Sequence, residues 1–555
     1  MNTPSQSSRR DAASPGGLNP ITVEVIGSAF ESIVEEMGEA LVRASYSTNI
    51  KERRDCSTAL FDARGNTLCQ ASHIPMHLGS FLAFIPLIMA RYASQDIHPG
   101  DVFIGNDAYE GGGTHLNDIV LAEPVFFEGE LVAWTINTAH HSDFADRGHA
   151  HIFQEGLRIP PVKFHSQGQL QEDMQSLILL NCQIPDERLA DLRAQMAANR
   201  LGVMRVKSLF EKYGRDTVIG AGDELQDYAE RMLRAGLQQI PDGTYKFSED
   251  FDLGDYPDML PVSVAVTIAG DEVEIDFYDC PPQVRGPFNM VYTALLASVY
   301  FAIKAVIDPT IPPNAGIARA IRIKAAEGTL INCSSPAAVF GRATTGQRVV
   351  DLILGAFAAV IPERVTAASN GNMDGASFMG QRANGTVWIY GETIGGGNGG
   401  RAGKDGLDGA HAHLTNTSNL PIEALETEYP LTIVRYELVD GSGGGGAFRG
   451  GMGIRRLYRT EMPCRVSIGT GGSRLRTQPW GLLGGLPGGS GYTRLFVGAG
   501  PETQHPGAVS RGDLIEVVTP GAGGYGPPAE RSRDKVSKDI RDGVFSPEQS
   551  AQIYG

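Results

Sequence analysis

Apolar residues recur at helical spacing as soon as the chain becomes readable: Ile26, Phe30, Ile33, Val34, Met37 and Leu41 follow Pro20, with Glu31, Glu35, Glu36 and Glu39 among the polar positions. That spacing predicts an amphipathic helix. Cys56 to Leu68 predicts a hairpin, two short strand-like runs around the turn Asp62-Ala63-Arg64-Gly65-Asn66. Leu78 to Tyr92 reads as a helix; Asp101–Ile104, Asp118–Trp134 and the run Leu131–Thr138 return to strand character. From Glu172 to Gln239 the pattern turns helical, with long stretches at Asp186–Met204 and Ala221–Leu237. Val262–Ile268 and Val273–Phe277 alternate on either side of Gly270-Asp271, a second hairpin. Tyr292–Val306 and Val349–Val360 read as buried helices. From Val387 to Val518 strand-like pieces alternate with glycine turns, and Ala529–Gly543 reads as a late helix. No fixed repeat period is present.

This pattern predicts an α+β chain of several layers. Its expected divisions are a disordered leader (1–18), an N-terminal metal-binding α/β region (19–170) and a helical segment (171–240). A mixed α/β region (241–385), a glycine-rich β region (386–528) and a C-terminal helical tail (529–555) follow. The net charge of −17 argues against nonspecific binding to nucleic acid or an anionic membrane, both of which need a positive footprint. Six scattered cysteines, without a CxxC pair, read as reduced thiols. With no apolar leader and no apolar run of spanning length, a cytoplasmic protein is expected. The 69 glycines are well above average usage and cluster after about residue 395, as turns and close backbone approaches.

Nine of the twelve histidines lie between His73 and His165, and this directs attention to one stretch. Gly111-Gly112-Gly113-Thr114-His115-Leu116-Asn117-Asp118 sets a His and an Asp three residues apart after a glycine turn, and His140-His141 ends a strand-like run. Neutral imidazole with carboxylate is a donor set that Zn²⁺ and Mn²⁺ accept. The alternative use of such residues is turn polarity, bonding only to backbone. Adjacent strand residues point to opposite faces, so only one of His140 and His141 should reach an ion, and the sequence leaves open which. Asp55 alone reads as part of a solvated charge run, Lys51–Ser57. The glycine strings at Gly395–Arg401, Gly443–Gly446 and Gly521–Gly526 lack a Walker ending and a GxGxxG setting, and Ser442 is in no GxSxG elbow. Asp405, Asp408, His411 and His413 form a second polar knot, readable as a cavity face or as a satisfied loop network.

Taken together, these residues carry a resemblance. The chain resembles the hydantoinase B/oxoprolinase family, the partner subunit of ATP-dependent hydantoinases, oxoprolinases and acetone- and acetophenone-type carboxylases. The match runs through Glu52–Ser57, Asn106-Asp107, Gly112–Asp118, His140–Asp143, Gly346–Asp351, Gly443–Gly451 and Pro520–Gly526. It departs at Cys56, where the family often has an aromatic residue, and at Ala108, where proline is common. The resemblance implies a divalent metal (Zn²⁺ or Mn²⁺) held by His115, Asp118 and His140, with Asp55 as fourth ligand or close neighbour. Asp55, His141 and Asp143 are the catalytic candidates. It further implies a hydantoinase A-type partner that binds ATP/Mg²⁺ and phosphorylates the substrate. The expected function is ring opening of a hydantoin, oxoproline-like lactam or imide by a hetero-oligomer. The alternatives are a ketone carboxylase component and a non-catalytic scaffold for the ATP-binding partner.

Overall fold

The computed structural model describes residues 18–111, 113–142, 147–468, 472–498 and 507–555. The expected leader therefore lies outside the described residues except for Leu18. The first helix, α1 (Pro20–Ala44), starts where Asn19 accepts the Ile21 N–H and Pro20 occupies the first turn. Its apolar stripe, including Ile26, Phe30, Ile33, Val34, Met37 and Leu41, is buried, as the spacing predicts. A short helix, α2 (Thr48–Lys51), leads into the first sheet.

That sheet contains β1 (Cys56–Asp62), β2 (Thr67–Gln70), β3 (Val102–Gly105), β4 (Asp118–Phe127), β5 (Glu130–His140), β6 (Val162–Ser166) and β7 (Gln169–Leu170). The order is β2-β1-β5-β4-β3-β6-β7, antiparallel throughout. The long strand run divides at Glu128-Gly129, whose φ values of 51° and 86° are those of a tight hairpin turn. All seven residues of β1 and the first eight of β4 are buried, because helices cover both faces. One face carries α1 with α6 (Pro185–Tyr213) and α7 (Arg215–Leu237); the other carries α3 (His77–Arg91). The α6 helix is keyed to the sheet by buried amides: Asn137 donates to Asn199 at 2.7 Å, and Gln195 donates to Asn137 at 2.9 Å and to the Ile119 carbonyl at 2.8 Å. Two short helices, α4 (Ile152–Glu155) and α5 (Glu172–Leu180), complete this part.

A second sheet, β11-β10-β9-β8, is built from β8 (Gly243–Phe251), β9 (Leu260–Ala269), β10 (Glu272–Asp279) and β11 (Ile321–Ala325). It shares the largest apolar core with α8 (Tyr292–Ile307) and α9 (Arg342–Phe357). The α9 helix starts earlier than its apolar pattern suggested, since its polar first turns are buried too. Two further sheets enclose a third core. One is β13-β12-β16-β18, from β12 (Gly375–Gln381), β13 (Val387–Thr393), β16 (Cys464–Ile468) and β18 (Ala508–Val509). The other is β14-β15-β19-β17, from β14 (Leu431–Leu438), β15 (Ile454–Thr460), β17 (Tyr492–Phe496) and β19 (Leu514–Val518).

Helix α10 (Ile422–Glu428) precedes β14. The tail holds two helices, α11 (Arg533–Arg541) and α12 (Pro547–Tyr554), where the sequence suggested one. The glycine strings are packing elements: a Cβ on Gly450 would lie 1.9 Å from the Ala522 carbonyl oxygen, and one on Gly521 would lie 1.9 Å from that of Ser442. All six cysteines are free. Among the described residues no helix is long and apolar enough to cross a membrane.

Candidate functional site

Three adjacent strands end together at one edge of the first sheet. In the order β1-β5-β4, Asp55 immediately precedes β1, His140 closes β5, and Asp118 opens β4 as the register partner of His140. The His140 N–H donates to the Asp55 carbonyl at 3.0 Å, which ties the first two ends together. His115 stands three residues before β4 on the glycine loop. Gly113 is required there, because a Cβ at that position would lie 2.2 Å from the Asn106 carbonyl oxygen. Sheet register brings His140 and Asp55 to the neighbouring pair His115 and Asp118.

His115, Asp118 and His140 each present a donor atom, and the three donors lie within 4.8 Å of one another. His115 and Asp118 are 2% and 0% exposed. His115 Nε2 lies 3.0 Å from Asp118 Oδ1, yet the two are not aligned as donor and acceptor, and both atoms and His115 Nδ1 are buried without a hydrogen bond. Buried polar atoms are almost always paired. Two imidazoles and a carboxylate, with the orphaned atoms on His115 and Asp118, fit the donor set of a divalent ion. Burial and the Arg342 charge, against the pull of Asp118 and Glu155, hold the His115 imidazole below its ordinary pKa, and burial above all holds His140 well below it. Both shifts favour the neutral ring, the form that ligates. Although burial opposes ionisation of Asp118, His115, His77 and Arg342 together keep its carboxyl well below the usual range.

The surroundings fix these groups. The Arg342 guanidinium, at the first residue of α9, donates to Asp118 Oδ2 at 2.8 Å and to Thr114 Oγ1 at 3.0 Å. The Asn49 amide lies 2.9 Å from His140 Nδ1, donates to the His140 carbonyl at 2.7 Å, and accepts from Arg53. Glu155 accepts the Val339 and Phe340 N–H groups, anchoring the loop that leads into α9. The resulting cavity, about 120 Å³, is lined by the sheet edge, the first turn of α9 and residues of β12 and β13. A larger and mainly apolar cavity of about 930 Å³ shares Thr415 with it.

Asp55 lines the small cavity but is not among the three converging donors. It reaches them through His77, whose Nε2 is 3.6 Å from both Asp55 Oδ1 and Asp118 Oδ1. His141 is turned away. Its Nε2 hydrogen-bonds with Gln195 Oε1 at 2.9 Å, inside the amide network of α6, and it does not line the cavity. Asp143 lies outside the described residues. The second polar knot separates: Asp405 and Asp408 pair with Arg531 and Arg449, while His413 bonds to Asp351 at 2.8 Å and His411 bonds to Thr415 and Thr417. His77, Arg342 and Arg53 were not singled out in the sequence. For His77 the signal was only its place in the histidine-rich stretch; Arg342 reaches the site from 224 residues away in sequence.

Against known proteins, the hydantoinase B/oxoprolinase family profile matches residues 19–528. The B component of a putative D-/L-hydantoinase from Pseudomonas sp. (strain NS671) is 34% identical, over 97% of this chain and 95% of that one. The crystal structure of the ATP-dependent caprolactamase from Pseudomonas jessenii superposes with a TM-score of 0.86 at 30% identity, covering 97% of this chain and 96% of the other. A nucleotide-free acetone carboxylase superposes with the same TM-score of 0.86 at 19% identity over 96% of this chain and 79% of that one, a likeness of fold alone.

Proposed function

The chain belongs to the hydantoinase B/oxoprolinase family, and from that membership and the cavity we propose that it is the metal-holding B-type component of an ATP-dependent cyclic-amide hydrolase. The substrate class is a hydantoin, oxoproline-like lactam or imide. The observation that carries the reading is the set of buried, unbonded atoms of His115 and Asp118 beside His140. His115, Asp118 and His140 would hold the ion, Zn²⁺ or Mn²⁺. A bound divalent ion supplies a Lewis acid and lowers the pKa of water toward neutrality.

The division of labour follows from the chemistry. Nitrogen donation makes an amide carbonyl a poor electrophile, and phosphorylating its oxygen removes much of that resonance. The sequence lacks a phosphate-binding Walker loop, so phosphorylation is assigned to a hydantoinase A-type partner that binds ATP/Mg²⁺. Water then adds to the activated carbon, and the ring nitrogen leaves with a proton. A second water converts the resulting acyl phosphate to carboxylate and inorganic phosphate.

The residues of this chain prepare that sequence. Arg342 keeps Asp118 ionised and fixes its orientation, while its charge and the first turn of α9 favour the negative charge of a phosphorylated substrate. Of the two carboxylates lining the cavity, Glu392 is held by Arg456, Tyr390 and Asn419, which leaves Asp55 to take a proton from attacking water, and His77 links it to Asp118. His141 acts at a distance, by locking the end of β5 to α6. The likeness to the ATP-dependent caprolactamase supports a lactam-type substrate.

The test is to purify the chain with its partner and assay ATP hydrolysis against hydantoins, lactams, imides and ketones, with and without bicarbonate. Amide-stimulated ATP turnover without bicarbonate supports the proposal. Turnover only with a ketone and bicarbonate would replace it with the carboxylase reading.

A further inference from the structure

The cavity of about 930 Å³ is of a size that holds a whole small molecule, and no step described above uses it. Two helical stripes form its apolar walls: Leu78, Leu82 and Pro86 of α3, and Ala297, Phe301 and Ala305 of α8.

Its charged groups are of one sign. In a chain with 64 acidic and 47 basic residues, no carboxylate lines the cavity, whereas Lys304 and Arg319 do. Arg319 is already paired with Asp227 at 2.6 Å and Glu230 at 3.1 Å. Lys304 is not. Its ammonium donates to the Pro309 carbonyl, and among the described residues no carboxylate stands within ion-pair distance of it. Asp308, the nearest acid along the chain, accepts instead from the N–H and hydroxyl of Thr310, at 2.8 and 2.6 Å. Burial lowers the Lys304 ammonium from its ordinary pKa, as expected of a half-buried cation short of a counter-charge.

A second polar group, His413, faces the same space. Its Nε2 lies 2.8 Å from the buried Asp351, and its Nδ1 has no hydrogen bond among the described residues. A histidine held by a carboxylate on one nitrogen offers the other as an acceptor. Its backbone takes a left-handed φ of 47°, which residues other than glycine seldom adopt. The rings of Phe301 and His413 meet edge-on with centroids 5.9 Å apart. Lys304 follows Phe301 by three residues, so cation and acceptor stand about one helical turn apart along this wall.

We propose that this cavity binds an organic carboxylate with an apolar body and a neutral N–H or O–H donor. The carboxylate sits on Lys304, the donor on His413 Nδ1 and the body between α3 and α8. A ligand bearing an ammonium finds no counter-charge there. A free N-acyl amino acid and the ring-opened, N-carbamoyl form of a substituted hydantoin share this constitution. The inference is independent of the metal reading.

Isothermal titration calorimetry of the full chain with N-acetylphenylalanine, its neutral carboxamide and phenylalaninamide tests it. The acid should bind saturably and the carboxamide about ten-fold or more weaker, the worth of a hydrogen bond to a charged group. Phenylalaninamide should not bind, and N-methylation of the acid, which removes the N–H, should weaken it. Lys304→Met should remove the preference for acid over carboxamide and Lys304→Arg should keep it. Leu82→Trp should remove binding by filling the cavity, and His115→Ala should bind as the wild type does; unchanged melting temperatures show that each variant is folded. No saturable binding, equal affinity for acid and carboxamide, or a preference that survives Lys304→Met overturns the proposal. Loss of binding in His115→Ala assigns the acid to the metal cavity and also overturns it. N-carbamoylphenylalanine binding more tightly than N-acetylphenylalanine supports the proposal with a ring-opened hydantoin as ligand, and parity supports it with N-acyl acids in general.

Discussion

Replacing Arg348 with Met tests whether the Gly346–Asp351 motif is structural. Arg348 is fully buried, pairs with Asp252 at 2.9 Å and Glu249 at 3.1 Å, and donates to Ser473 Oγ at 2.8 Å and the Asp250 carbonyl at 2.9 Å. Removing one partner of a buried ion pair costs about 3–5 kcal/mol, because the remaining charge is stranded. The cost here should fall near the lower end. Glu249 keeps Arg474, and Asp252 keeps the N–H groups of Arg474, Leu475, Arg476 and Thr477 and the Thr477 hydroxyl. Taking about 3 kcal/mol and an unfolding entropy of about 2.1 cal/mol/K per residue, unfolding of the whole chain as one unit gives a Tm loss of about 3 °C; a smaller unfolding unit gives more. Differential scanning fluorimetry measures it, alongside metal content. A Tm loss under about 1 °C, or selective loss of metal from a protein of normal stability, would refute the reasoning.

Gly450→Ala should destabilise by about 1–3 kcal/mol or more, since its Cβ would overlap the Ala522 carbonyl; Gly507→Ala, with nothing within 4 Å, is the control, and equal melting temperatures for the two would remove the packing role. Burial pushes the Glu123 carboxyl up to about 7, against the pull of Arg200 and Lys207. A carboxyl raised on folding is no burden below its unfolded pKa and costs stability as pH rises from about 4.5 towards 7. Glu123→Gln should therefore change little near pH 4.5 and stabilise by up to about 3 kcal/mol at pH 8, read from denaturant midpoints; no pH-dependent difference contradicts this. His140→Ala should lose bound metal while His141→Ala retains it, judged by elemental analysis; the opposite pattern would assign the site to the other ring.

The sequence was most informative where contact and chain order coincide. The hairpin of β4 and β5 brings Asp118 beside His140, so a cluster spread over 26 residues could be read from spacing. Alternation also required His140 and His141 to diverge, although which one faces the cavity depends on register. The remaining site groups were not legible for a physical reason. Arg342 and His77 are first residues of helices whose placement depends on tertiary packing, and nothing near them in sequence marks a cavity. The knot at Asp405–His413 reads as one cluster because its members are close in sequence. Its carboxylates instead meet arginines 41 and 126 residues away, and its imidazoles line a different cavity. Glycine composition indicated close backbone contact but not its partners, which include other glycine strings and distant loop residues such as Ala367 and Leu407.

The most direct test of the central claim is metal content and coupled turnover of the reconstituted complex, wild type against His115→Ala. The account predicts a bound divalent ion in the wild type, and loss of both ion and amide-dependent ATP turnover in a variant that still folds and binds its partner. Equal metal in the two proteins, or full cyclic-amide turnover by this chain alone without ATP, would contradict it.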